Sequence, residues 1–304
     1  MKGKKNLKKI ITAVIVIIIV ATLGISYFVS YKLITPERKK LTSDPKHKIG
    51  LDYENITFTS EGNKIEGWYI PAKENRFTLV YSHGYSGNRE SSSVSTYNLA
   101  PIIHKMGGNF LSFDFSGEGE SEGKTVTVGY REQEDLKSAI KTAQKKSSSP
   151  IFLYGLSMGA ATTSIVASHS DDIAGAICDS PFSNLRNYLE SNLSVWTKLP
   201  KYPFQPIILT MEEKIAGVKL DRVDPETAVK ELKVPMLLIH GKGDDMIPYT
   251  EGVKVANSNK NMIQLKIFNN QGHCKSFQNY KTEYTSLIEN FINTTLKNDK
   301  SKNK

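Results

Sequence analysis

With 304 residues, 39% of them hydrophobic, the chain is long enough to bury a sizeable core in one or two domains. Its net charge of +9 sits at the ends, in residues 1–50 and 297–304, whereas residues 51–296 carry 25 Lys/Arg against 28 Asp/Glu. The middle of the chain is therefore slightly acidic and offers no basic, aromatic-lined groove, which argues against a nucleic-acid partner.

Residues 1–9 form a basic tail, and the 22 residues from Ile10 to Tyr31 carry no charge. As a helix they span roughly 33 Å, enough for a bilayer core, with Tyr27 and Tyr31 placed as interfacial anchors. A cleaved signal peptide fits less well: its apolar core is normally shorter, and no Ala-x-Ala-like site follows. Lys2, Lys4, Lys5, Lys8 and Lys9 lie denser beside the span than the basic residues after it, so the tail is expected inside and the domain on the extracytoplasmic side. Residues 32–50, with Pro36, Pro45 and mixed charges, read as a polar tether.

The folded part is expected over 51–296, ahead of a basic C-terminal tail at 297–304. Asn55 to Thr59 and Lys64 to Ile70 alternate apolar and polar residues around Ser60-Glu61-Gly62-Asn63, a hairpin pattern. Short apolar runs follow at Phe77 to Ser82, Asn109 to Phe113, Ile151 to Tyr154, Ile173 to Cys178, Met236 to Ile239 and Ile263 to Phe268. Helical patterns separate most of them, at 91–106, 129–146, 158–169, 225–232, 250–257 and 279–297. This alternation predicts an α/β fold: a mostly parallel eight-stranded sheet with an antiparallel edge and helices on both faces. Ligands of such sheets bind beyond the carboxyl ends of the strands.

Residues with chemistry cluster at those ends. The run at 151–154 leads into Gly155-Leu156-Ser157-Met158-Gly159, a Gly-x-Ser-x-Gly pattern that places a serine on a tight strand-to-helix turn. The glycines are explained by backbone crowding that leaves little room for a Cβ. After other strands come His83-Gly84-Tyr85, the Asp114 to Gly123 loop, His240-Gly241-Lys242-Gly243-Asp244-Asp245, and Gly272-His273. A serine hydroxyl is a poor nucleophile unless a base lies within hydrogen-bond reach and a third group orients that base. Of the six histidines, His83 and His240 end strands before glycine and read as structural, His47 lies in the tether, and His104 and His169 fall on helices. His273, alone in the loop after the last strand, is the candidate base, and Asp244 or Asp245 the orienting carboxylate.

These motifs together resemble the α/β-hydrolase superfamily, in its bacterial esterase/lipase/serine-aminopeptidase-like branch. The resemblance rests on H-G-Y at 83–85, D-F-S-G-E-G-E-S at 114–121, G-L-S-M-G at 155–159, H-G-K-G-D at 240–244 with I-P at 247–248, and G-H at 272–273. One departure is Ser116, which stands where that branch usually carries arginine. The resemblance implies a Ser157, Asp244 and His273 catalytic set, favours Asp244 over Asp245 by its spacing from His240, and places the oxyanion-stabilising N–H groups at Tyr85 and Met158.

Residues 181–223 are too long for an ordinary connection between core strands. Phe182, Tyr188 and Trp196, with other apolar residues at helical spacing, predict a helical lid whose apolar side covers Ser157 and binds an acyl chain, or a face that simply packs the insert onto the core. Cys178 and Cys274 read as free buried thiols. No metal-ligand spacing or nucleotide-binding glycine loop occurs, so no cofactor is expected. The expected function is a membrane-anchored serine hydrolase of carboxylic esters or thioesters acting on a small-molecule substrate. A peptidase of the same fold and a catalytically silent scaffold remain open.

Overall fold

The computed structural model describes residues 2–90 and 94–302. The strands are β1 (Glu54–Ser60), β2 (Asn63–Ile70), β3 (Phe77–Ser82), β4 (Gly108–Phe113), β5 (Ile151–Leu156), β6 (Gly175–Asp179), β7 (Met236–Gly241) and β8 (Ile263–Phe268). They form one eight-stranded sheet in the order β1-β2-β4-β3-β5-β6-β7-β8. The β1–β2 and β2–β4 pairs are antiparallel and the remaining pairs parallel, as the sequence predicts. The α-helices are α1 (Lys2–Ile34), α2 (Pro45–Ile49), α3 (Thr96–Lys105), α4 (Glu132–Lys146), α5 (Met158–Ser168), α6 (Leu185–Asn192), α7 (Lys201–Ala216), α8 (Pro225–Ala228), α9 (Tyr249–Ser258), α10 (Ser276–Asn279) and α11 (Lys281–Lys302). The helix expected from residue 91 begins at Thr96, and residues 91–93 lie outside the described residues, as do the last two of the C-terminal tail.

Strand periodicity sorts the core into two layers. Val80, Leu111, Phe113 and Leu153 point to one face, where α4, α5 and α9 cover them through Leu136, Val166 and Val255. Leu79, Tyr81, Phe110 and Phe152 point to the other, under Leu99 and Ile103 of α3 and Tyr284, Ile288 and Ile292 of α11. Strands β3 to β7 are buried at every position, which explains why they read as continuous apolar runs rather than alternating ones.

The insert between β6 and α8 is helical, as predicted: α6, a 3₁₀ turn at Leu193–Val195, α7, and a second turn at Leu220–Arg222. Helix α1 is longer than the apolar span read from sequence and runs unbroken to Ile34. Its residues Ile10, Ile15, Ile17 and Val20 are exposed, whereas Ser26, Ser30 and Ile34 are buried, one face per turn. Ser30 Oγ donates to the Ile208 carbonyl at 3.1 Å, docking α1 on α7. The segment after α1 hugs the domain: Arg38 donates to the Gly123 carbonyl at 2.6 Å and also to the Ser121 carbonyl, and Asn88 Nδ2 reaches the Lys39 carbonyl. The polar composition of residues 35–44 thus serves hydrogen bonds to neighbouring loops as well as solvation.

Candidate active site

The turn from β5 into α5 holds Ser157 at φ 53°, ψ −116°, a left-handed conformation that a non-glycine residue adopts only under constraint. The constraint is visible on both sides. A Cβ on Gly155 would lie 2.2 Å from the Gly159 carbonyl oxygen, and one on Gly159 would lie 2.3 Å from the Ser82 oxygen. Ser157 N–H donates to the Asp179 carbonyl at the end of β6 (2.8 Å), fixing the turn against the neighbouring strand. Gly159→Ala is therefore expected to destabilise the fold by about 1–3 kcal/mol, seen as a lower midpoint in denaturant melts. An unchanged midpoint would contradict this crowding.

The loop after β8 brings His273 over the serine. Its Nε2 lies 2.9 Å from Ser157 Oγ and its Nδ1 2.7 Å from Asp244 Oδ2. An ionised carboxylate only accepts, so Nδ1 carries the proton and Nε2 faces the hydroxyl as an acceptor. Asp244 is held from three further directions: Oδ1 accepts the N–H groups of Met246 (3.0 Å) and Ile247 (2.8 Å), and His240 Nε2 stands 3.3 Å from Oδ2. Asp245, the other candidate, is exposed and takes no part in this chain of hydrogen bonds.

Electrostatics follow the geometry. Burial works against the charge on Asp244, yet the His240 and His273 side chains and the Ile247 N–H hold its carboxyl below the usual range. Burial also opposes protonation of His273, but the Asp244 carboxylate against Nδ1 favours it and the imidazole pKa is raised above 6.5. His83, in contrast, is pushed down to about 4 by burial. Its Nε2 accepts the Phe115 N–H at 3.0 Å and its Nδ1 faces the Gly84 carbonyl, so it ties two loops together as a neutral ring. His240 likewise donates to the Ile247 carbonyl at 2.9 Å, in keeping with its structural reading.

Tyr85 and Met158 flank the serine. Met158 opens α5, where backbone N–H groups have no intrahelical acceptor. Gly84 lies close enough that a Cβ there would stand 3.3 Å from Ser157 Cβ, which brings the Tyr85 loop alongside. Phe182, Tyr188 and Trp196 line an apolar cleft that also contains Ser157 and Met158. Phe182 stacks on Tyr188, Trp196 Nε1 donates to Tyr188 Oη (2.9 Å), and the Trp196 ring meets Tyr85 edge to face at 5.5 Å. Phe182 and Tyr188 also belong to a buried cluster with Ala161 and Ile165 of α5, so these aromatics pack the insert onto the core.

Four features escaped the sequence. Leu33 and Ile34, the last residues of α1, form part of the cleft wall, and Tyr85 Oη donates to the Leu33 carbonyl. Asp114 pairs with buried Arg89 (2.7 Å), which supplies the guanidinium where the motif has Ser116, while Ser116 binds Asp135 instead. Asp179 is buried behind the serine turn and accepts from Tyr284 Oη at 2.7 Å. Glu212 of α7 lines the cleft. Only the oddity of Ser116 pointed to any of these. Cys178 and Cys274 are buried and form no disulfide, and no cluster of potential metal ligands occurs among the described residues.

Comparison with known proteins agrees with this geometry. The chain is 26% identical to the esterase Pf2001 of Pyrococcus furiosus, with a TM-score of 0.72 over 87% of this chain and 98% of that one. It is 25% identical over 302 residues to the uncharacterised protein YqkD of Bacillus subtilis, covering 94% of this chain and 97% of that protein. The lysophosphatidylserine lipase ABHD12 of Xenopus tropicalis is 24% identical over 208 residues, 65% of this chain and 50% of that protein. The acylaminoacyl peptidase of Pyrococcus horikoshii shares the fold at a TM-score of 0.64 and 18% identity, over 84% of this chain and 44% of that one. The sequence profile of the prolyl oligopeptidase family (Peptidase_S9) matches residues 98–299, well over half the chain. With the eight-stranded sheet and the serine turn in place, that match makes the chain a member of the prolyl oligopeptidase family, a serine hydrolase on the α/β-hydrolase fold.

Proposed function

We propose that the protein is a membrane-anchored serine hydrolase that cleaves carboxylic esters or thioesters of apolar acyl groups, with Ser157, His273 and Asp244 as its catalytic triad. The observation that carries this reading is the continuous relay from Asp244 Oδ2 through both ring nitrogens of His273 to Ser157 Oγ. In the first step Ser157 Oγ attacks the acyl carbon as its proton passes to His273 Nε2, while Asp244 steadies the imidazolium. The backbone N–H groups of Met158 and Tyr85 receive the developing oxyanion. Collapse breaks the bond to the alcohol or thiol, which takes the proton from His273. Water then repeats the sequence on the acyl-serine and releases the acid.

The apolar cleft beside Ser157 supports an acyl chain as the bound group. Helix α1 is long and apolar enough to cross a membrane, and the lysines at its start favour a domain on the outside. In this reading residues 10–31 are the anchor, 51–296 the hydrolase domain and 181–223 its lid. Because Leu33 and Ile34 help wall the cleft, the full chain is the proper object of assay. Hydrolysis of nitrophenyl esters is expected to rise with acyl length and to lose that dependence by about tenfold in Trp196→Ala, as apolar contact in the cleft is removed. A flat profile in both proteins would remove the acyl-binding role. Family membership favours a second reading, peptide hydrolysis. Aminoacyl amides assayed beside the esters decide it: faster cleavage of amides would replace the ester reading.

A further inference from the structure

The cleft beside Ser157 contains one carboxyl, that of Glu212, and it is 5% exposed. Every other polar side chain lining that cleft already spends its hydrogen bonds within the protein. Ser157 faces His273, Tyr85 Oη donates to the Leu33 carbonyl, and Thr127 Oγ1 donates to Glu132 at 2.6 Å. Tyr188 Oη donates to the Met246 carbonyl at 3.0 Å and accepts from Trp196. Glu212 has no hydrogen-bond or ion-pair partner among the described residues, while Glu213, one position on, pairs with Arg186 at 2.6 Å. Leaving a carboxyl buried and unpaired costs stability, so its presence among Leu33, Ile34, Ala216 and Val218 calls for a use.

We propose that Glu212 is a specificity-determining residue, whose carboxyl hydrogen-bonds an uncharged hydroxyl carried on the apolar arm of the substrate while the ester carbonyl sits at Ser157. Burial alone lifts the Glu212 pKa to about 8, so near neutral pH it is an uncharged acid, able to donate and to accept. Among the described residues no cation faces it to hold the ionised form. An uncharged partner matches this site, since a charged one would have to be stripped of water in an apolar cleft. This inference rests on the serine-hydrolase reading, and the experiment separates the two.

The full chain in phosphatidylcholine nanodiscs is assayed with two ester series, one with a hydroxyl walked along the acyl chain and one with it walked along the alcohol chain. One hydroxyl position is expected to raise kcat/KM about ten- to a hundredfold over the plain chain. That gain disappears in Glu212→Leu and persists in part in Glu212→Gln. No favoured position in either series, or a preference that survives in Glu212→Leu, overturns the proposal. Binding of the matching fatty alcohol and diol to Ser157→Ala, followed by the fluorescence of Trp196, tests Glu212 without any turnover. Equal affinities there overturn the proposal whatever becomes of the hydrolase reading, whereas failure of fluorophosphonate labelling in the wild type overturns the hydrolase reading. A residue kept for ligand recognition also predicts that Glu212→Leu melts a few degrees higher than wild type. A lower melting temperature would mark Glu212 as structural.

Discussion

Ser157→Ala is expected to abolish hydrolysis, lowering kcat by about 10⁶-fold, the scale seen when the nucleophile is removed from subtilisin. The variant should also fail to react with a fluorophosphonate. Alanine replaces a hydroxyl without adding volume, and the left-handed backbone at this turn is set by Gly155, Gly159 and the Asp179 carbonyl rather than by the serine side chain. Thermal unfolding should therefore differ little from wild type, and loss of activity can be read as loss of chemistry. Residual labelling of the variant, or activity within tenfold of wild type, would remove Ser157 from the nucleophile's role.

Asp244→Asn is expected to cost about 10⁴-fold in kcat, by analogy with the same replacement in the chymotrypsin-type triad. Asn presents an amide to His273 Nδ1, so the imidazole loses both its tautomer control and its countercharge. The pH profile carries the sign. His273 works as a base only when neutral, and its pKa lies above 6.5 in the wild type. The acid limb of kcat/KM should accordingly rise with pH through a midpoint above 6.5. In Asp244→Asn the raising carboxylate is gone, and the midpoint moves to lower pH. Asp245→Asn, altering an exposed side chain, should stay within about threefold of wild type, inside the range of ordinary surface substitutions. A large loss in Asp245→Asn with a mild one in Asp244→Asn would reverse the assignment.

The fold was legible where burial is complete. Strands such as Phe77–Ser82 and Ile151–Leu156 are covered on both faces, so local apolarity was enough to find them. The site was legible because Ser157, Asp244 and His273 each follow a strand closely, and one sheet edge gathers what the chain separates by up to 116 residues. Long-range packing left no such mark. The position of β4 between β2 and β3 depends on pairing that no local pattern encodes. Glu212 and Glu213 are adjacent and chemically alike, yet about 100° of helical rotation sends the first into the cleft and the second to Arg186. Leu33 and Ile34 fall in residues 32–50, which read from sequence as a polar tether, and only the docking of α1 on α7 turns them into cleft wall.

That docking makes α1 a lever on the cleft wall. Residues 10–20 stand exposed, Ser30 is bonded to α7, and Ile34 lines the cleft, all on one helix without a proline. From Val20 to Leu33 the rise is about 20 Å of continuous helix. With its lower turns in lipid, as proposed, a tilt imposed by bilayer thickness would reach the cleft wall directly. The hydrolase would then sense the thickness of its membrane through the same residues that shape its substrate site.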